Sequence, residues 1–316
     1  MVPGEGLGPS RTQGVLRILS PLRLPVPPPR RAGDCWNVSA FYRFRSPFRR
    51  QLASGQPDDY RYGMQRRSWL VIASLVVCAT ARMVASPADP PPNTLTAEEQ
   101  AAGWKLLFDG ATMKGWRGYL KPDASGLRWT VHDGCIGLPK GGGQDTLGER
   151  DLVTTDTYGD FDVRFTWKVE PGSNSGVKYF VSEDAAVRGP GGAKVGGALG
   201  HEYQVIDDER HEDAKIGTTH KTAAFYDVKA AASHPMLPAG TWNQSRILVQ
   251  GNHVEHWLNG TKVLEYELGS PEILQAVKAS KFKDVGAFGT KVRGHILLQD
   301  HGDAVCYKDI KIKTGA

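Results

Sequence analysis

The sequence lacks the loops that mark the commonest nucleotide-binding and acyl-transfer enzymes. No GxxxxGK[ST] phosphate cradle and no GxSxG nucleophile elbow occurs in its 316 residues. Phosphate-loop and serine-nucleophile chemistry are therefore unsupported. Cysteine is scarce, with four residues in all. The longest apolar segment, Trp69–Ala81, has thirteen residues, short of the ~20 that a membrane-spanning helix needs. Helical periodicity is sparse as well. The first 63 residues contain no lysine, but ten arginines, nine prolines and four acidic residues. Such a stretch has no apolar period from which to build a core.

The net charge of +5 belongs to that leader, because residues 64–316 hold 29 basic against 30 acidic side chains. The nucleic-acid reading of a basic protein loses its footing. At Met64 the character changes. Arg66 and Arg67 precede the apolar segment, and Ala79, Ala81, Ala85 and Ser86 offer small residues for cleavage. This is the three-part pattern of a secretory signal peptide. Residues 64–86 are expected to be that peptide, with a signal-anchor as the alternative, and the expected location is secreted or periplasmic. Residues 1–63 are then either a mis-called start or a disordered leader. Val77 before Cys78 argues against lipid attachment there.

Residues 87–94, with the run PADPPPN, read as a stiff linker. One domain is expected over 95–316. Its segments alternate with period 2, most cleanly in Phe161–Val169 (FDVRFTWKV). Further strands are expected near Trp104–Phe108, Val177–Val181, Glu202–Ile206, Ala224–Val228, Ser245–Gln250 and His295–Leu298. Asn259-Gly260 between His253–Leu258 and Lys262–Glu267 predicts a tight hairpin, since both turn residues tolerate positive φ. Short helices are expected over Thr96–Ala102, capped by Thr96 and Glu99, and over Ser270–Ser280, opened by Pro271. The expected class is all-β, a jelly-roll sandwich with few short helices. Cys135 and Cys306 are either bonded, which an oxidising compartment permits, or two free buried thiols.

Four segments carry candidate chemistry. In Gly200–Asp208 (GHEYQVIDD), alternation puts Glu202, Gln204 and Asp208 on one face. Ser173–Lys178 offers Asn174 and Lys178 as donors beside Gly176, which lets a ligand approach the backbone. Asn252–Gly260 places His256 and Trp257 on opposite faces of a strand, with the indole able to stack on a sugar. His295–Gly302 aligns Leu297, Gln299 and His301. Gly189–Gly200 reads as a loop rimming the polar strand. Neither HEYQV nor the acidic run Asp207-Asp208 with His211-Glu212-Asp213 makes a persuasive metal motif.

Ordinary glycoside hydrolysis needs two opposed carboxyl groups. The run corresponding to the glucanase pattern E-x-D-x-x-E reads Glu202-x-Gln204-x-x-Asp207, with the middle carboxylate replaced by an amide. One carboxylate among amides, lysine and histidine suits a different reaction, in which a single base takes a carbon-bound proton and neutral or cationic donors hold the oxyanion.

LLFDG at Leu106–Gly110 with Gly115-Trp116, GDF at Gly159–Phe161, NSG at Asn174–Gly176, EYQVIDD at Glu202–Asp208, HWLNG at His256–Gly260 and LQDHG at Leu298–Gly302 follow in order. Together they resemble the 3-keto-disaccharide hydrolase family, also called the 3-keto-glucoside 1,2-lyase/hydratase domain, across roughly Gly103–Lys313. The resemblance implies a concanavalin-like jelly-roll sandwich of two antiparallel sheets, one of them concave and ligand-binding. It implies cleavage of glycosides already oxidised at carbon 3, by proton abstraction at carbon 2, elimination and hydration. On that basis Glu202, Lys178 and His301 are the catalytic candidates, and Asn174, Gln204, Asp208, His256, Trp257 and Gln299 the substrate-binding ones. No cofactor is certain. A divalent cation polarising the ketone is compatible with the chemistry, with no ligand set assigned. The expected partner is an oxidised saccharide, with no nucleic acid and with membrane contact only through the signal segment. The alternative is a non-catalytic, lectin-like carbohydrate-binding sandwich. The chain departs from the family pattern at Ala223, where glycine is expected, and at Cys306, where an aromatic is usual.

Overall fold

The computed structural model describes residues 90–141, 150–184, 187 and 197–315. The leader, the signal segment, the first residues of the linker and most of Gly189–Gly200 lie outside the described residues. Among the described residues, thirteen strands form two antiparallel sheets. The larger sheet has the order β11 (Thr261–Glu267), β10 (His253–Leu258), β9 (Asn243–Gln250), β6 (Phe161–Val169), β13 (Val305–Thr314), β4 (Cys135–Leu138) and β3 (Thr130–His132), with β1 (Lys105–Leu106) also on β13. The smaller runs β2 (Trp116–Gly118), β5 (Leu152–Thr154), β12 (His295–Leu298), β7 (Asn174–Val181) and β8 (His201–Ile206).

Alternation dictates the layers. Phe161, Val163, Phe165, Trp167 and Val169 are all buried and face the smaller sheet's Val177, Tyr179, Tyr203 and Val205 in one core cluster. Each large side chain withdrawn from water contributes roughly 1.5–3 kcal/mol, so this seam dominates the hydrophobic stabilisation. Its polar tips are satisfied internally. Trp167 Nε1 donates to Ser245 Oγ at 2.8 Å, which also pairs with the Tyr203 hydroxyl at 2.8 Å.

Helix α1 (Ala97–Ala101) is closed by the Thr96/Glu99 capping box, and α2 (Pro271–Ala279) is capped by Ser270. Asn259 and Gly260 both have positive φ, 47° and 79°, and close the β10–β11 hairpin in two residues. Cys135 and Cys306 form a disulfide that ties β4 to β13 across 171 residues of sequence. The aromatic usual at position 306 is thus replaced by a covalent link.

One expected strand does not form. Ala224–Val228 makes only isolated bridges, Phe225 to Tyr203 and to Lys229. The reason is backbone chirality: Ala223 and Asp227 lie in the left-handed region, φ 67° and 60°, which turns the chain out of a ladder at both ends. Trp104–Phe108 shortens to the two-residue β1.

Candidate functional site

The outer face of the five-stranded sheet carries the polar side chains. Register places Glu202 of β8 opposite Lys178 of β7, and Lys178 opposite Leu297 of β12. One row along, Gln204 faces Gly176, whose carbonyl accepts from Gln299 N–H at 3.0 Å. Glu202 and Lys178 are both buried, with Lys178 Nζ 3.6 Å from Glu202 Oε2. Lys178 also donates to Ala198 O at 3.2 Å. An ammonium has three donors, so one remains for a ligand. Glycine at 176 serves Glu202 rather than a ligand, because a Cβ there would stand 2.9 Å from Glu202 Cδ.

Burial pushes the Glu202 carboxyl above its ordinary range, opposed by the positive charges of Lys178 and Lys281. This suits a base, since a raised pKa strengthens proton affinity and the two ammonium groups favour the ionised form. Three buried polar atoms nearby have no hydrogen-bond partner among the described residues: Asn174 Oδ1, Gln299 Oε1 and His301 Nδ1. Such atoms are costly unless water or a ligand answers them. Asn174 is held in place by its backbone N–H, which donates to Asp303 Oδ2 at 3.1 Å. His301 Nδ1 and His211 Nε2 face the same oxygen at 3.9 and 3.8 Å.

These three side chains group as a metal site would, so their protonation matters. His211 Nδ1 accepts from Asp213 N–H at 3.1 Å. A neutral ring then carries its proton on Nε2, the nitrogen that faces Asp303. So arranged, His211 turns Nε2 toward Asp303.

Sequence reasoning missed the wall of the site. The 3₁₀ turns Asp213–Lys215 and Thr218–His220 follow β8. His220 sits between two carboxylates, Asp213 at 2.9 Å and Asp227 at 3.1 Å. Asp213 also accepts from the Tyr226 hydroxyl at 2.9 Å, and Lys281 Nζ lies 4.2 Å from the Tyr226 ring centre. Lys281 is exposed, and its positive charge favours the ionised form of the buried Glu202. Asp151, only 1 % exposed, accepts from Asp300 N–H at 2.8 Å. Burial pushes it up to about 6, aided by the charges of Glu202 and Asp300 and opposed by Lys178. These groups sit in irregular segments or at strand ends, where no periodicity points to them. The repeated spacing of seven in Asp213, His220 and Asp227 was the one available hint.

Of the sequence candidates, Asn174, Lys178, Glu202, Gln204, Gln299 and His301 come together. The Gln204 amide is already engaged, by Val205 N–H at 3.1 Å and more loosely with His220 O at 3.4 Å and Asp213 at 3.5 Å. It braces the wall. Three candidates are elsewhere. His256 is fully buried between the sheets, where Nδ1 donates to Ala223 O at 2.9 Å and Nε2 accepts from the Tyr179 hydroxyl at 3.0 Å. Burial drives its pKa down to about 4 and keeps it neutral. Trp257 lies on the outer face of the other sheet, with the Arg246 guanidinium 5.3 Å over its ring. Asp208 falls beyond the end of β8, where alternation stops, and accepts from Thr222 N–H at 2.8 Å. For His256 and Trp257, the alternation of one strand does not say which sheet owns it.

With this geometry in view, residues 103–313 match the model of the 3-keto-alpha-glucoside-1,2-lyase-like domain. The chain belongs to this family. It is 35% identical over 239 residues to a 3-keto-disaccharide hydrolase of Bacteroides thetaiotaomicron, covering 70% of this chain and 82% of that one. A crystal structure from Parabacteroides distasonis, provisionally assigned as a glycosyl hydrolase, is 31% identical with a TM-score of 0.62, covering 72% of this chain and 100% of that one. Membership of the lyase-like family, with this relative, makes the protein an enzyme of the hydrolase or glycosidase type.

Proposed function

We propose that the protein cleaves 3-keto-glycosides, 3-keto-disaccharides among them, by removing the proton on carbon 2, expelling the group on carbon 1 and adding water. The observation that carries this reading is the buried carboxylate of Glu202 with Lys178 at 3.6 Å and, among the described residues, unpartnered amide oxygens on the same face. A ketone at carbon 3 acidifies the neighbouring C–H, so one base suffices. Glu202 takes that proton and the electron pair moves to the ketone oxygen. Lys178 meets the developing oxyanion with its free donor, and the Asn174 side chain donates beside it. The enolate then re-forms its carbonyl, the carbon 1–oxygen bond breaks, and the leaving oxygen receives a proton from Glu202 or His301. Water adds at carbon 1, and carbon 2 regains a proton. Gln299 and His301 take substrate hydroxyls, for which unpartnered buried acceptors are suited.

We also propose that the enzyme is exported after cleavage within Ala79–Ser86, on the strength of the Arg66-Arg67 and Trp69–Ala81 pattern. Incubation with 3-keto-glucosides and with their unoxidised parents tests the activity. Turnover of the keto forms alone is expected. Failure on every keto-sugar, with binding retained, would favour a carbohydrate-binding role instead.

A further inference from the structure

The outer face of the eight-stranded sheet holds a second feature that the reaction does not use. A groove of about 550 Å³ is lined by Arg164, Arg246, Lys308 and Lys311, with Gln244 and the half-buried Trp257. It lies on the opposite side of the sandwich from Glu202, because the two sheets pack through their inner faces. Arg164 and Arg246 share one carboxylate, Asp162, at 3.3 and 2.8 Å. Lys311 pairs with Glu99. Lys308 has no carboxylate partner among the described residues and rests 4.4 Å over Trp242. Asp309, the one acidic lining residue, is turned to the backbone N–H of Asn93 at 2.6 Å. Four cations therefore meet less negative charge than they carry. The Trp257 indole beside them has Arg246 5.3 Å over one face and donates its N–H to Glu255 at 2.8 Å, which leaves the second face for the stacking that a pyranose makes.

We propose that this groove binds an acidic polysaccharide, its carboxylates met by Arg164, Arg246 and Lys308 and a sugar ring packed against Trp257. Arg246 holds Asp162 through Nε at 2.8 Å and Nη2 at 2.9 Å, and its remaining N–H donors, with those of Arg164 and the Lys308 ammonium, suit uronate carboxylates. The groove would hold the enzyme on a polymer while the opposite face turns over small saccharides, so the inference stands independently of the reaction assigned to Glu202. Duplex nucleic acid fits less well, since residues 64–316 are nearly neutral and the positive charge here is confined to a groove.

Native gel electrophoresis of the full chain through gels containing polygalacturonate or dextran tests this. Polygalacturonate is expected to retard the wild type and dextran is not. Trp257→Ala and Lys308→Glu should each weaken the retardation about fivefold or more, with unchanged melting temperatures. Glu202→Gln should migrate as the wild type. The basic leader is common to all variants and cancels from the comparison. Undiminished retardation in both groove variants, equal retardation by dextran, or competition by duplex DNA as strong as by free polygalacturonate would overturn the proposal, as would no retardation at all.

Discussion

Replacing Asp151 with asparagine is expected to stabilise the protein at neutral pH, although the residue is buried and hydrogen-bonded. Its carboxyl is raised from 3.8 to about 6, burial being the largest cause. The sign follows from linkage. The folded state holds this proton more tightly than the unfolded chain, so stability is fully present below about pH 4 and declines as pH rises toward 6. A shift of about two units at about 1.4 kcal/mol each makes the cost near 3 kcal/mol at pH 7. Asparagine keeps the oxygen that accepts from Asp300 N–H and carries no charge. Asp151→Asn should therefore gain up to about 3 kcal/mol at pH 7, about half of that at pH 5, and nothing below pH 4. Urea unfolding at the three pH values measures this. A loss of stability at pH 7, or a gain independent of pH, would refute the electrostatic reasoning.

Other outcomes follow from single features. Removing the Cys135–Cys306 link by substituting both with alanine should lower stability by roughly 2–5 kcal/mol, since the loop it closes is long; calorimetry of the double variant checks this. Ala223 sits at φ 67°, a conformation that disfavours L-residues by roughly 1–2 kcal/mol, partly offset in glycine by about 0.5–1 kcal/mol of chain entropy. Ala223→Gly should thus raise unfolding free energy by up to about 1 kcal/mol without affecting turnover. The acid limb of the activity profile should titrate above 4.5, the ordinary value for glutamate, because burial raises Glu202. A limb at or below that value would show the base to be elsewhere.

Much of the fold was legible because alternation has a fixed geometric meaning. Phe161–Val169 is the strand its pattern announces, and the Asn259-Gly260 turn requires the positive φ that it shows. Strand β13 was not among the expected ones, since a bulge at Asp309, φ 52°, shifts its alternation between Lys308 and Lys311. Ala224–Val228 looks extended by composition, yet two left-handed residues break it. At the site, alternation correctly aligned Glu202 with Gln204 and Asn174 with Lys178. It could not supply the tertiary approach of Asp151, His220 and Lys281, which come from separate parts of the chain. Nor could it tell which sheet His256 and Trp257 belong to.

The central claim is that Glu202 removes the proton beside the ketone. Steady-state turnover of a 3-keto-glucoside by the wild type and by Glu202→Gln tests it most directly. Glutamine preserves the shape and removes the basicity, but it also leaves the buried Lys178 without its carboxylate, so the melting curve of the variant is recorded beside its turnover to show that it is folded. The account predicts a loss in kcat of about 10²–10⁴-fold, the usual contribution of a general base. A folded Glu202→Gln enzyme with near-normal kcat would contradict it and direct attention to His301.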